Sequence, residues 1–318
     1  MKRVLLTGAT GFVGKTLSVK LLERKFDLMA AVRQYSDVLP KSAAQVVVAD
    51  LTLETDWLEA LEGVSIVIHT AARVHVMKDD VSDPLREYRR VNVDGTINLA
   101  KQAVAAGVKR FIFLSSIKVN GEATHPGQAF TADDSPAPID PYGISKAETE
   151  KALMDLSTTT EMDIVIIRPV LVYGPDVRAN FLSMMRWLNK RIPLPLGGVH
   201  NKRSLVALDN LVDLIIVCID HPAAANQIFL VSDGEDLSTT DLLLKLGNAL
   251  ERPARLVSVP AILIRIASGL LGKSNMSQRL LGSLQVDITK TRDLLNWSPP
   301  VSVDQALKKT AQVFLQNL

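Results

Sequence analysis

The feature that most constrains this chain is TGATGFVG at 7–14, which follows a short apolar run, RVLLT at 3–7, and opens an amphipathic stretch at 12–24. Its glycines, Gly8, Gly11 and Gly14, are spaced three apart. Glycine in such a turn permits a tight reversal, lets the backbone approach a pyrophosphate, and packs a helix on the preceding strand. The helix N-terminus adds N–H donors and a dipole that favours an anion. Between a first strand and a first helix, the motif points to dinucleotide binding by Gly8, Thr10, Gly11, Phe12, Val13 and Gly14.

The rest of the first half repeats the alternation. Further β-branched runs lie at 27–32, 45–49, 65–70, 109–116 and 163–168, with helical patterns around 54–62, 84–106 and 141–157 between them. Continuously apolar strands separated by helices predict an α/β fold, a doubly wound parallel sheet covered on both faces. After Pro169 the pattern becomes irregular, with IPLPLGG at 192–198, a strand and helix at 205–220, a strand at 227–231, and then helices. We read residues 1–169 plus about 205–231 as the dinucleotide-binding domain, and 170–204 plus 232–318 as a smaller C-terminal substrate lobe over the sheet's carboxyl edge.

Composition narrows the function classes. With 47% hydrophobic and 22% charged residues the chain is not disordered, and 36 Lys plus Arg against 34 Asp plus Glu gives +2, which argues against a nucleic-acid or acidic-lipid surface as the main partner while leaving room for a local basic site. A lone cysteine, Cys218, in an apolar helix pattern reads as buried packing, and no Cys/His cluster suggests a metal. The apolar stretches at 3–7, 211–219 and 259–272 are too short for a signal peptide or a membrane span, so a cytoplasmic protein is expected. The patterns at 84–106 and 141–157 could supply the face of a homodimer.

Candidate chemistry follows from strand ends. An acidic residue after the second strand would grip a ribose 2′-hydroxyl, but AAVRQYS places Arg33 there, which predicts NADP(H), with NAD as the alternative. Asp50 and Leu51 are placed to meet the adenine, and Thr70, Ala71 and Ala72 are small enough for the backbone to pass the nicotinamide half. YGISK at 142–146 puts Tyr142 and Lys146 one turn apart on a helix, so that the ammonium lowers the phenol toward neutrality and makes it a proton donor and acceptor. Ser116, ending the fifth strand at the same sheet edge, would hydrogen-bond the reacting oxygen.

Together, TGATGFVG, the AD pair at 49–50, HTAA at 69–72, VNVDGT at 91–96, FIFLSSIKVNGE at 111–122, PYGISK at 141–146, RPVLVYGP at 168–175, RSLVALDNL at 203–211 and the terminal DITKTRDLLNWSP resemble the extended short-chain dehydrogenases/reductases of the nucleotide-sugar epimerase/dehydratase family. The resemblance spans essentially the whole chain and implies a Rossmann domain. It also implies a Ser116, Tyr142 and Lys146 triad, Asn92 as a helix residue supporting the site, and Arg203 as a diphosphate-binding arginine. Ser115, Pro169 and Val172 complete the expected cofactor set. Two positions depart from the family: its epimerases often carry a tyrosine at Asn120 and a sugar-contacting asparagine at Leu171.

The stretches SSIKVNGE and PLPLGGVHNKRSLV look most like a bacterial surface-polysaccharide branch that includes UDP-sugar 4-reductases and proteins labelled UDP-glucose 4-epimerase. Arg73, Lys118, Asn180, Arg203 and Arg279 are the candidate contacts to a UDP-linked sugar. His75 reads as a surface loop residue. The expectation is an NADP(H)-dependent 4-keto reductase of a UDP-sugar. The alternatives are an NAD-dependent UDP-glucose or UDP-N-acetylglucosamine 4-epimerase and, more remotely, a non-catalytic NADP(H)-binding sensor.

Overall fold

Strand β1 (Arg3–Thr7) lies at the heart of a parallel sheet because its side chains are apolar on both faces: Val4 and Leu6 enter one core, Leu5 the other. The structure, a computed structural model, describes residues 2–48, 50–74, 83–125, 127–270 and 280–318. Beside β1 run β2 (Asp27–Val32), β3 (Ala44–Val47), β4 (Ile66–His69), β5 (Arg110–Leu114), β6 (Asp163–Pro169) and β9 (Gln227–Val231), in the order β3-β2-β1-β4-β5-β6-β9, all parallel. Strand order reverses between β1 and β4. That switch point opens a crevice at the carboxyl ends of the strands, and ligands of open α/β sheets bind there.

One face is covered by α1 (Phe12–Glu23) and α7 (Leu208–Asp220), with Cys218 wholly buried among them. Burial pushes its thiol up to about 12, so it is inert packing. The other face is covered by α4 (Gly95–Ala105) and α5 (Pro141–Ser157). The doubly wound expectation therefore holds.

Two helices differ from expectation. Only Leu58–Leu61 (α2) of the pattern at 54–62 is helical, because the Asp56 carboxylate accepts from Leu58 N and Thr55 Oγ1 from Thr52 N, closing the preceding residues into turns. The long pattern at 84–106 is α3 (Pro84–Tyr88), a π-helix at Arg89–Asp94, and α4. Inside the π-helix the carbonyl of Asn92 accepts from Thr149 Oγ1 at 2.9 Å, so α5 takes up a helix carbonyl at the bulge. Such bulges are common at functional sites.

A second hydrophobic core gathers around Tyr173, Phe181, Leu205, Leu243, Leu246 and Leu307. A three-stranded sheet runs β10-β8-β7, with β7 (Leu171–Tyr173) parallel to β8 (Arg203–Ala207) and β10 (Asp236–Leu237) antiparallel to it. Helices α6 (Ala179–Asn189), α8 (Thr239–Ala249), α9 (Ala261–Leu270), α10 (Thr289–Leu295) and α11 (Val303–Gln316) lie in the remaining described residues. Among the described residues no helix is long and apolar enough to cross a membrane, and no group of acidic, His or Cys side chains could hold a metal ion.

Candidate active site

The glycine-rich turn is built by contacts that exclude side chains. Gly8 has φ +71°, and a Cβ there would lie 2.7 Å from both Ala71 N and Thr70 Oγ1, so the first and fourth strands' loops can meet only over a glycine. A Cβ on Gly14 would sit 2.1 Å from Gly8 O, which makes it the contact between α1 and the turn. Gly11 differs: its φ is −77°, its N–H donates to Gly8 O at 2.9 Å, and only Gly8 O, at 3.1 Å, lies near the position of its Cβ. It caps α1 with no side chain, and the first turn carries no acidic residue. This opening fits the pyrophosphate of a dinucleotide. Thr10 is exposed at its rim, while Phe12 and Val13 pack partly against the core.

The loop after β4 is fixed to its neighbours. Thr70 Oγ1 donates to Thr7 O at 2.8 Å and Ala71 N to Thr7 Oγ1 at 3.3 Å. Asn92 accepts from Arg73 N at 2.8 Å and donates to Arg73 O and to Ser145 Oγ at 3.1 and 3.0 Å. It thereby ties the loop of Ala71 and Ala72 to helix α5. Leu51 lies against Gly95, whose Cβ would meet the Leu51 backbone at 2.8 Å. At the far corner Arg33 stands 3.8 Å from Asp50, both side chains largely exposed.

Helix α5 starts where it does because Asp140 accepts from Gly143 N at 2.7 Å and Pro141 takes the first turn. That start puts Tyr142 and Lys146 at the carboxyl edge of β5. The Lys146 ammonium is buried, donates to Leu114 O at 2.8 Å, lies 4.2 Å from the centre of the Phe113 ring and 5.9 Å from that of Tyr142. Leu114 is two residues from Ser116, whose hydroxyl accepts from Lys118 N at 3.3 Å as it opens a 3₁₀ turn at Ile117–Val119. The three expected catalytic residues are thus collected at one strand end. Their electrostatics correct one expectation. Burial, reinforced by the Asp140 and Tyr88 charges, pushes the Tyr142 phenol up rather than toward neutrality, and burial lowers Lys146 to about 7, with Glu150 opposing.

Sequence reasoning missed what lies behind this edge. Glu150, one turn beyond Lys146, is buried and accepts from Arg168 Nε at 3.0 Å to each oxygen and from the Ser115 hydroxyl. Arg168 Nη1 in turn donates to Asn120 Oδ1 at 2.9 Å, and Asn120 Nδ2 to Thr131 O at 2.8 Å. Ser115, expected at the cofactor, and Asn120, which stands where family epimerases often carry a tyrosine, are both held in this internal network. An arginine ending the apolar strand DIVIIR was the available signal, since a charge on a buried strand needs a partner. Tyr88, whose ring meets that of Tyr142 edge-on at 6.1 Å between centroids, was also missed.

On the substrate side the candidates are dispersed. Lys118 is ion-paired with Asp140 and lies 3.6 Å from Glu122. Arg73 stacks its guanidinium 5.7 Å over the Tyr88 ring. Arg203, half-buried on β8, donates to Gly282 O at 3.1 Å. Asn180 is exposed at the start of α6, and Leu171 is exposed where β7 begins. Pro169 closes β6 opposite Val231, and Val172 pairs with Val206. Arg279 and His75 lie outside the described residues.

Comparison with known proteins adds to this geometry. The model of the NAD dependent epimerase/dehydratase family matches residues 4–232. The chain is 50% identical over 99% of its length to the UDP-glucose 4-epimerase of Vibrio cholerae, covering 96% of that protein. It is 28% identical, over 97% of its length and 94% of the relative's, to an Escherichia coli O157:H7 4-epimerase of N-acetyl-alpha-D-glucosaminyl-diphospho-ditrans,octacis-undecaprenol. Among solved structures, a Bacillus cereus UDP-glucuronic acid 4-epimerase in complex with NAD superposes with a TM-score of 0.78 at 20% identity, covering 99% of both chains. A Thermotoga maritima UDP-glucose 4-epimerase with UDP-glucose gives 0.78 at 21%, again over 99% of both.

Proposed function

The chain belongs to the NAD dependent epimerase/dehydratase family, and on that premise we propose that it is an NAD-dependent 4-epimerase of a UDP-hexose. The observation that carries the reading is the 50% identity to a UDP-glucose 4-epimerase over 99% of the chain. It supports the 4-epimerase better than the 4-keto reductase expected from sequence, whose main support was Arg33 as a 2′-phosphate ligand. With the Asp50 carboxylate 3.8 Å away, that corner is not a purely cationic phosphate site, and its acid suits the free 2′-hydroxyl of NAD.

Bound NAD would supply reversible hydride chemistry at carbon 4 of the sugar. In this proposal the first turn of α1 holds the pyrophosphate, and Tyr142 takes the proton of the 4-hydroxyl and gives it back. Lys146, whose ammonium lies 5.9 Å from the centre of the Tyr142 ring, supplies the positive charge that steadies the phenolate before the proton is taken and after it is returned. Ser116 hydrogen-bonds the reacting oxygen, and Arg203 is the proposed contact to the diphosphate. For the assembly we propose a two-fold dimer through α4 and α5, which light scattering tests.

The deciding experiment incubates the purified protein with UDP-glucose and UDP-N-acetylglucosamine and, separately, with a UDP-4-keto sugar and NADPH. Interconversion with the galacto-epimer and no net change in NAD(P)H absorbance is expected. Stoichiometric NADPH consumption without epimerisation would return the function to a reductase.

A further inference from the structure

Helix α9 is apolar on two sides at once. Ile264 packs against the second hydrophobic core, while Ile262, Leu263 and Ile266 are 59%, 53% and 54% exposed. At 100° per residue these three share one side, with Arg265 at its rim. A surface helix ordinarily turns polar residues to water, so three exposed branched side chains within two turns form a face that is unpartnered among the described residues.

The chain leading into this helix, and the segment paired with that chain, are cationic. The segment leading into α9 exposes Arg252, Arg255 and Val257. It runs alongside residues 190–194, where Leu194 N donates to Arg255 O at 2.9 Å and Val257 N to Leu194 O at 2.8 Å, and there Lys190, Arg191 and Ile192 are exposed. Residues 190–198 and 252–270 contain no Asp or Glu, in a chain whose charges otherwise nearly balance. Glu251 is the acid nearest to them in sequence.

We propose that this face docks reversibly on an anionic phospholipid bilayer, with α9 lying in the headgroup plane. Ile262, Leu263 and Ile266 enter the acyl boundary, and the five surrounding cations meet lipid phosphates. Each half alone is a weak anchor, and stable attachment takes both an apolar and an electrostatic signal. Nucleic acid would satisfy the cations but leave Ile262, Leu263 and Ile266 in water. A second copy docked two-fold through this face would set like charges against each other. The proposal goes beyond the epimerase reading and does not depend on which sugar the enzyme takes.

The test is co-sedimentation of the full chain, loaded with NAD, with vesicles of phosphatidylcholine alone or mixed equally with phosphatidylglycerol. Binding to the mixed vesicles, release at high ionic strength and none to phosphatidylcholine is expected. The triple substitution Ile262→Ser, Leu263→Ser, Ile266→Ser lowers partitioning about tenfold or more. The independent set Arg252→Gln, Arg255→Gln, Arg265→Gln lowers it as well, with Tm and NAD binding unchanged in both. Wild-type protein left in the supernatant with the mixed vesicles overturns the proposal, as does equal binding by the serine variant. Self-association of the wild type that the serine variant abolishes would assign the face to a second copy instead.

Discussion

Two charged regions of the cofactor-binding half behave in opposite ways. Around α5, Lys146, Glu150 and Arg168 are buried beneath the sheet's carboxyl edge, each held by named partners. At the adenosine corner, Arg33 and Asp50 face each other at 3.8 Å with side chains 83% and 74% exposed. Both regions contain oppositely charged neighbours, but a pair in water contributes roughly 0 to 1 kcal/mol, whereas breaking a buried pair leaves an uncompensated charge. On the proposed function, the difference separates residues that set chemistry and stability from residues that tune cofactor preference.

Substitutions in the buried region should therefore have the larger effects. Tyr142→Phe keeps the ring against Tyr88 and removes the hydroxyl, and turnover should fall on the order of 10² to 10⁴ with NAD affinity nearly unchanged. Steady-state kinetics beside a cofactor titration would measure this, and undiminished turnover would take Tyr142 out of the proton path. Next, Arg168→Met strands the Glu150 carboxylate and should cost about 3–5 kcal/mol in urea unfolding. Adding Glu150→Gln should recover part of that loss, and a double variant no better than the single would contradict the pairing.

A third prediction concerns pH. His69, buried between Thr7 Oγ1 at 2.7 Å and Thr96 Oγ1 at 2.9 Å, is lowered by burial from 6.5 to about 3, with the Lys146 charge adding to the effect. The unfolded chain thus binds the proton that the folded one refuses. Stability should be lost as pH falls from 6.5 toward 3, with a slope of up to about 1.4 kcal/mol per pH unit from this group. His69→Gln should flatten that limb of the pH–stability curve, and an unaltered slope would assign the acid sensitivity elsewhere.

The smallest effects belong to the exposed corner. Arg33→Asp should change NAD affinity by about threefold or less while weakening NADPH about tenfold or more, because the added carboxylate repels a 2′-phosphate. The dissociation constants are to be compared at fixed salt. Wild-type protein that prefers NADPH would blur the contrast between the two regions and revive the reductase.

The sequence by itself determined the doubly wound sheet and the approximate position of its strands, because continuous apolar runs and a Gly-rich turn have few other ways to bury themselves; the fifth strand stops at Leu114, two residues short of Ser116. It also placed Ser116, Tyr142 and Lys146 at one edge, since strand ends and helical spacing are local properties. Only the tertiary structure decided where polar side chains spend their hydrogen bonds. Ser115 and Asn120 turn inward to a Glu150–Arg168 pair that joins residues far apart in the chain, and Lys118 is held by Asp140 and Glu122. The long helical pattern at 84–106 gave no sign of its π-helix, because the bond between Thr149 and the Asn92 carbonyl comes from a different helix. The sign of the Tyr142 shift also came from burial, which depends on what the fold packs around the phenol rather than on the lysine one turn away.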